Sequence, residues 1–328
     1  MQNFLYCFDN NYNIQATCSM YSLITNSTEQ LNIYIIHKEP NSFTKYQKRL
    51  EKLKNLNELK LYKFNSVNKS FPNVEKTHVS EATYYRFYLN QYLPKYVKEV
   101  MYIDADIICI NDVAKSYYES LKKLKEENYI ISAITEKNKL QDSNVDEVDE
   151  KNDFDRLGLK SDKYFNAGVM LIDVEKWKLE NVHKSLLETQ MKIKEKILFW
   201  DQDVLNFLFD GSFSELDKNL NYDLSININN EMEYEGDISF TEINKNKVKL
   251  LHYSGKSKPW TVKGVLHPHS DFYHSVYHEL FRKRYHIQNN WKKLAINQFL
   301  TLLSKNKIKN IKRPVSFIFS FFRYLIKK

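Results

Sequence analysis

The chain predicts an α/β protein built on a mainly parallel sheet with helices on both faces. Short apolar runs of strand length alternate with longer segments whose apolar residues recur at helical spacing. Such β–α–β–α order, kept from Phe4 to Ile134, is what crossover helices on a parallel sheet require. Ligands of such sheets sit at the carboxyl ends of the strands, so the polar residues there are the first candidates for a site.

Phe4–Phe8 reads as a strand and Ile14–Ile24 as a helix. Leu31–His37 is a second strand, and Phe43–Leu56 an amphipathic helix with Ser42 as its N-cap. Leu59–Phe64 is a third strand. A helix opens at Ser80 and runs to Leu93, where Pro94 ends it. The run around Asp104 is a strand, followed by a helix near Val113–Leu124 and a strand at Tyr129–Ile134. Residues 136–163 are crowded with Asp, Glu, Lys and Asn and read as a long surface loop or lid. Tyr164–Asp173 is again strand-like, a helix starts near Val174, and Asp201 and Asp203 fall where the acidic first turn of a helix belongs. Residues 219–246 are Asn-rich without periodicity, and Lys249–Tyr253 is a last strand candidate.

Glycine is scarce, 6 in 328 residues, and neither GxGxxG nor GxxxxGK[ST] occurs. No glycine-rich loop is present to cradle a dinucleotide or the phosphates of ATP, so bound phosphate must be neutralised by side chains or a metal. The formal net charge of +8 belongs to one end of the chain. Residues 281–328 hold 13 Lys and Arg and no acid, leaving 36 basic against 41 acidic side chains in residues 1–280. The body therefore lacks the electrostatic footprint of a nucleic-acid binder. Cys7, Cys18 and Cys109 have no CxxC spacing, and an odd count of this kind reads as reduced thiols in a cytoplasmic setting. No basic segment precedes Asp9, so no signal peptide is expected.

Asp104-Ala105-Asp106 interrupts an apolar run, with Val100–Ile103 before it and Ile107–Ile110 after it. Two bare carboxylates in a buried strand cost on the order of several kcal/mol each unless paired or metal-bound. Strand alternation puts them on one face and Ala105 on the other. Oxygen ligands at a strand end suit Mg2+ or Mn2+, although an acidic turn reads the same from the triplet alone. His252 lies far away in sequence, beside a strand end from which it can return as a third ligand. Gly255 lets backbone approach a ligand, and Lys258 offers phosphate a point charge. Arg86, among Tyr84, Tyr85, Phe87 and Tyr88, needs an anionic or carbonyl partner or a route to solvent. Asp9-Asn10-Asn11-Tyr12 is, by composition, an Asx-rich turn.

In order and spacing, Asp9, Arg86, Asp104-Ala-Asp106, Asn166-Ala-Gly168, Asp201-Gln-Asp203 and the stretch HYSGKSKPW from His252 to Trp260 resemble glycosyltransferase family 8, close to the bacterial lipooligosaccharide and lipopolysaccharide galactosyltransferases. The resemblance implies a GT-A type fold with a Rossmann-like sheet, a catalytic domain over residues 1–280 and a basic aromatic tail over 281–328. It implies a UDP-hexose donor carrying galactose or glucose, and a saccharide or glycolipid acceptor. Two carboxylates, one imidazole and diphosphate oxygens favour Mn2+, with Mg2+ as the other candidate, held by Asp104, Asp106 and His252. By the same resemblance Asp9 and Asn11 bind the uridine, Tyr12 stacks on the base, and His78 touches the nucleotide. Asp104, Ala105 and Ala167 line the nucleotide sugar, with Arg86, Asn166, Asp201 and Gln202 on the hexose. Gly255 and Lys258 fall on the diphosphate, while Asp203 reads as a helix-dipole residue. One departure stands out: the family commonly ends the strand before the lid with Asp, where this chain has Thr135 and then Glu136.

The family retains anomeric configuration. Double displacement needs a nucleophilic carboxylate, and the matched residue is Gln202, an amide. Front-face transfer is therefore expected, with Asp201 and Gln202 as its catalytic residues and a phosphate oxygen of the donor taking the acceptor's proton. In the tail, the apolar stretch Val315–Phe322 is far below the ~20 residues a spanning helix needs. Its mixture of aromatics and cations predicts peripheral attachment to the anionic cytoplasmic face of the inner membrane. Three other readings share these residues: a phosphotransferase using the Asp pair, a non-catalytic UDP-sugar-binding protein, and a self-glycosylating one, since 23 Tyr are present.

Overall fold

The computed structural model describes residues 1–65, 71–72, 80–138, 153–224, 248–255, 258–267, 269–288, 291 and 295–327. Strand β1 (Gln2–Phe8) is buried along its whole length, because every residue but Gln2 and Asn3 is apolar and both faces are covered. Phe4 and Tyr6 point into one apolar cluster, Leu5 and Cys7 into the other. Helix α1 (Asn13–Asn26) leads to β2 (Leu31–His37), and α2 (Pro40–Leu50) leads to β3 (Leu56–Lys63). These three strands pair in parallel, β1 with β2 and β2 with β3.

The helix expected over 43–56 instead starts at Pro40, whose fixed φ suits the first helical position, and stops at Leu50. Ser42 lies inside it and donates its hydroxyl to Glu39 O, and Leu56 opens β3. Ser80 does cap a helix, accepting from Ala82 N, but the first eight residues, Glu81–Tyr88, form a 3-10 helix. Only Leu89–Tyr92 (α3) is α-helical.

β4 (Glu99–Ile103) lies beside β1 in parallel, and β5 (Ile107–Cys109) leaves for a second sheet. Asp104 and Asp106 therefore sit in a turn between two sheets, not on one strand face as expected. α4 (Ala114–Glu126), β6 (Ile131–Asn138), α5 (Asp153–Leu157) and β7 (Lys163–Asp173) follow. The lid expected over 136–163 is thus bounded by regular elements, and its middle, 139–152, lies outside the described residues. β7 is antiparallel to both β4 and β6, giving a seven-stranded sheet of order β3-β2-β1-β4-β7-β6-β8. It is mostly parallel, with helices on both faces. α6 (Val174–Leu179), α7 (Val182–Lys192) and α8 (Trp200–Phe209) precede the short β8 (Ser214–Glu215) and β9 (Tyr222–Asp223). β10 (Leu250–His252) joins β5 and β9 in the small sheet.

Residues beyond 280 do not trail away. After α9 (Ser270–Phe281), helices α10 (Ala295–Ser304) and α11 (Pro314–Ile326) build a fourth apolar cluster around Trp291, Phe299, Phe317 and Phe321. Val262 and Val265, which follow the HYSGKSKPW stretch, belong to this cluster. No helix among the described residues is long and apolar enough to cross a membrane.

Candidate active site

The sheet order turns at β1, with β2 on one side and β4 on the other. At such a reversal the loops leaving two neighbouring strands diverge and open a crevice. Asp9 follows β1 and Asp104 follows β4 there, on the wall of a cavity of about 490 Å3. Tyr12, Arg86, Ala105, Asp106, Asn166, Ala167, Asp201, Gln202, His252, Gly255 and Lys258 line the same cavity. Asn11 does not: it is exposed, and its backbone and side chain turn back to the Asp9 carboxylate at 2.9 and 3.4 Å. The Asx-turn reading of Asp9 is thus realised, and Asp9 lines the cavity as well. His78 lies outside the described residues.

The small sheet assembles the acidic end. β10 runs antiparallel to β5 with His252 opposite Ile107, and Tyr253 N donates to Asp106 O at 3.1 Å. This brings ligand atoms of Asp104, Asp106 and His252 within 4.8 Å of one another. Asp106 Oδ1 is buried without a hydrogen-bond partner, His252 Nε2 being 3.4 Å away, and Lys258 Nζ holds Oδ2 at 2.5 Å. Burial would raise the Asp106 pKa, but Lys258 and then His252 outweigh it and hold the group below the usual carboxylate range. An orphaned carboxylate oxygen facing an imidazole and a second carboxylate fits a hard divalent cation.

The His252 tautomer is fixed by a relay of amides. The Glu136 carboxylate can only accept, so Asn166 turns its Nδ2 to Glu136 Oε2 at 3.1 Å and its Oδ1 to Asn221 Nδ2 at 2.9 Å. Asn221 Oδ1 then faces His252 Nδ1 at 2.9 Å, so that nitrogen carries a proton and Nε2 is the one aimed at Asp106. Burial lowers the His252 pKa, yet the Asp106 carboxylate outweighs it and the net shift is upward.

Gly168 serves the same end. A Cβ there would lie well inside van der Waals contact distance of His252 Cε1 and 2.9 Å from its Nδ1. Gly168→Ala is expected to swing the imidazole away and lower Mn2+ affinity at least about tenfold by calorimetry, with a stability loss of about 1–3 kcal/mol. Unchanged Mn2+ affinity would remove His252 from the ligand set.

A further part of the cavity wall is built on α8. Trp200 holds φ at 46°, a strained value for an aromatic residue, and turns the chain so that Asp201 and Gln202 face the cavity. Gln202 Oε1 accepts from Ala167 N at 2.9 Å, and its Nε2 donates to Glu136 Oε2 at 3.1 Å. Asp201 Oδ2 lies 2.9 Å from Arg86 Nε, but that N–H points at Thr83 O, so the contact is one of charge without an aligned hydrogen bond. Burial pushes the Asp201 pKa up to about 7, against Arg86, which lowers it. Arg86 is 2% exposed and also donates to Ala167 O and Asp104 Oδ1. Asp203, expected as a helix-dipole residue, does lie in the first turn, but it is fully buried and clamped by Arg156 at 2.8 and 2.9 Å.

Sequence reasoning missed Asn221, Asp223 and the rim formed by Leu198 and Phe199. Asp223 lines the cavity, and Ser254 donates to it. Glu136, noticed only as a departure, lies between Asn166 and Gln202, and Thr135 turns away to bind Glu215. Burial and then Asp223 raise the Glu136 pKa.

Similarity to other proteins agrees with this geometry. The chain is 25% identical over 273 residues to lipopolysaccharide 1,2-glucosyltransferase of Escherichia coli K12, covering 83% of this chain and 76% of that one. It is 30% identical over 194 residues to lipopolysaccharide 1,3-galactosyltransferase of Salmonella typhimurium, covering 58% of this chain and 52% of the relative. With glycosyltransferase GlyF of Streptococcus pneumoniae the identity is 29% over 188 residues, 57% of this chain and 40% of GlyF. The chain thus spans about half the length of the latter two relatives. In fold it is similar to the crystal structure of galactosyltransferase LgtC with donor and acceptor sugar analogs, at a TM-score of 0.67 and 17% identity, covering 90% of this chain and all of that one. The description of glycosyl transferase family 8 matches residues 3–264, four fifths of the sequence, and the chain belongs to that family.

Proposed function

We propose that this protein transfers a hexose, galactose or glucose, from a UDP-sugar to a saccharide acceptor of the surface lipooligosaccharide or lipopolysaccharide class, with retention of configuration. One observation carries the reading: Asp104, Asp106, His252 and Lys258 meet in the wall of a cavity that Asn166, Asp201 and Gln202 also line, with Arg86 bridging Asp104 and Asp201. Groups suited to a diphosphate and groups suited to sugar hydroxyls thus share one crevice. Asp104, Asp106 and His252 would hold Mn2+ or Mg2+, which when bound acts as an electrophile on the leaving diphosphate. Lys258 moves its charge from Asp106 to the diphosphate. Asp201 Oδ2, a buried acceptor without a hydrogen bond, takes a hydroxyl of the hexose, and a donor lacking that hydroxyl leaves it unpaired. Gln202, pinned by Ala167 and Glu136, presents an amide to the anomeric region and cannot act as a carboxylate nucleophile. The acceptor's proton therefore passes to a phosphate oxygen of the departing UDP on the same face. Leu198 and Phe199 offer an exposed apolar platform at the mouth for the acceptor.

Incubation with UDP-galactose or UDP-glucose, Mn2+ and a glycan acceptor is expected to yield a product that keeps the donor's anomeric configuration by NMR. Inversion would overturn front-face transfer, and no transfer from either donor would sink the transferase reading.

Residues 281–328 are proposed as the membrane-facing part, on the cytoplasmic leaflet. Val315, Phe319, Phe322 and Ile326 form one exposed stripe of α11, while Phe317 and Phe321 face inward. Ile296, Leu300 and Leu303 of α10 are exposed too. Phe319→Asp with Phe322→Asp is expected to cut partition onto anionic vesicles at least about tenfold without altering the unfolding temperature. Undiminished sedimentation with the vesicles would refute membrane attachment through this face.

A further inference from the structure

The segment that carries Lys258 is held from behind by the C-terminal helices, through contacts that the cavity itself does not need. His274, on α9 and 3% exposed, lies 3.0 Å by its Nε2 from Pro259 O and 3.3 Å by its Nδ1 from the backbone N–H of His286. A carbonyl only accepts and an N–H only donates, so Nε2 is protonated and Nδ1 is not. The neutral ring is therefore filled on both sides. Burial keeps it neutral by lowering its pKa to about 3.

The connection closes on itself. Tyr273 OH is 2.7 Å from His286 Nδ1, and the Tyr273 ring packs against Trp260 with centroids 5.0 Å apart. Gln288 N donates to Trp260 O at 2.8 Å, and Lys307 Nζ donates to Val265 O at 2.6 Å. Val262 and Val265 then enter the apolar cluster of α10 and α11. On its other side the segment reaches the cavity, where Trp260 meets Tyr12 edge-on and Lys258 bonds Asp106. Pro259 and Trp260 are thus gripped by α9 and the chain that follows it, within two residues of Lys258, while Val262 and Val265 tie the same segment to α10 and α11.

We propose that His274 and His286 are positioning residues through which the C-terminal helices lock the Lys258–Trp260 segment, so that binding of a nucleoside diphosphate depends on a module outside the cavity. The proposal rests on the reading of Lys258 as a diphosphate contact. It makes His286, Gln288 and Lys307 part of the donor site's support as well as its neighbours.

His274→Phe keeps the ring's bulk but offers neither bond, whereas His274→Gln keeps an amide that reaches Pro259 O. Amide hydrogen exchange of the full chain, without ligand, is expected to quicken over residues 258–265 in His274→Phe while α1 and β1 keep their protection. UDP affinity measured with Mn2+ is expected to fall about tenfold, the size of one weakened charged contact at Lys258, with uridine affinity unchanged. His274→Gln restores most of it. In a Lys258→Gln background, His274→Phe costs nothing further, because its effect passes through Lys258. Unchanged exchange, or losses that add in the double variant, would overturn the proposal. If His274→Phe fails to fold, Tyr273→Phe, which removes only the hydroxyl at His286, is judged by the same measurements. A wild-type chain that binds no UDP refutes the donor reading, and the exchange comparison still decides whether the lock exists.

Discussion

Asp106→Asn is expected to abolish metal-dependent UDP binding. Asp106 offers the one oxygen of the acidic end that is buried and unpartnered, and it stands between His252 and Lys258. An amide keeps the shape, removes the negative charge and turns one lone-pair position into a donor. Changing residues that merely support a metal's ligands costs about ten- to a hundredfold in affinity, so loss of a charged ligand should reach or exceed the upper figure. Calorimetry with UDP, first with Mn2+ and then with EDTA, measures it. UDP affinity that ignores both EDTA and the substitution would make the triplet a structural turn, and Lys258 alone would then have to carry the diphosphate.

Arg86→Met is expected to cost about 3–5 kcal/mol of stability at pH 8, because it strips the cation from two carboxylates at once. The guanidinium reaches Asp104 Oδ1 at 3.0 Å, lies 2.9 Å from Asp201 Oδ2 and covers the Tyr102 ring at 3.8 Å. Methionine fills the space but leaves Asp201 without its cation in a buried site. The pH dependence gives the sign. Asp201 already titrates near 7 with Arg86 present, because burial raises it, and without the arginine it must rise further. An acid whose folded pKa is raised is penalised when ionised, so protonation relieves the variant. Its deficit against wild type should therefore shrink as pH falls from about 8 to 6 in thermal unfolding. A deficit below about 1 kcal/mol, or one flat across that range, would mean that the network is solvated and contributes little.

Much of the site was legible in the sequence because its chemistry is unusual in its surroundings. Two acids inside an apolar run and an arginine among tyrosines each admitted an ordinary reading, an acidic turn and a route to solvent, and only their order and spacing together with the glycine-lysine pair after a histidine singled them out. The order of strands in the parallel half was legible from the alternation of apolar runs, since β1 and β2 are buried on both faces. What failed did so for local reasons. Leu53 and Leu56 continue a helical spacing past Leu50, so periodicity alone could not end α2. Asp104 and Asp106 lie too close to a change of sheet for strand alternation to apply. Asn221 was invisible in an Asn-rich stretch, because its role exists only through Asn166 and His252, 55 and 31 residues away. Asp203 resembled a dipole residue until Arg156, 47 residues earlier, was seen across from it. Glu136 could be flagged as a departure but not located, since its partners come from β7 and α8.

The place of β10 in the small sheet has a consequence for how the chain is made. Between β5 and β9, β10 is the central strand, and it delivers His252 to an acidic pair that left the ribosome almost 150 residues earlier. At about 5–20 residues per second, the nascent chain spends many seconds with Asp104 and Asp106 exposed and no third ligand beside them. A growing chain shorter than about 260 residues can hold its large sheet while this candidate cluster is still incomplete. The Asp104–Asp106–His252 cluster is therefore closed late, after the large sheet beside it has been made.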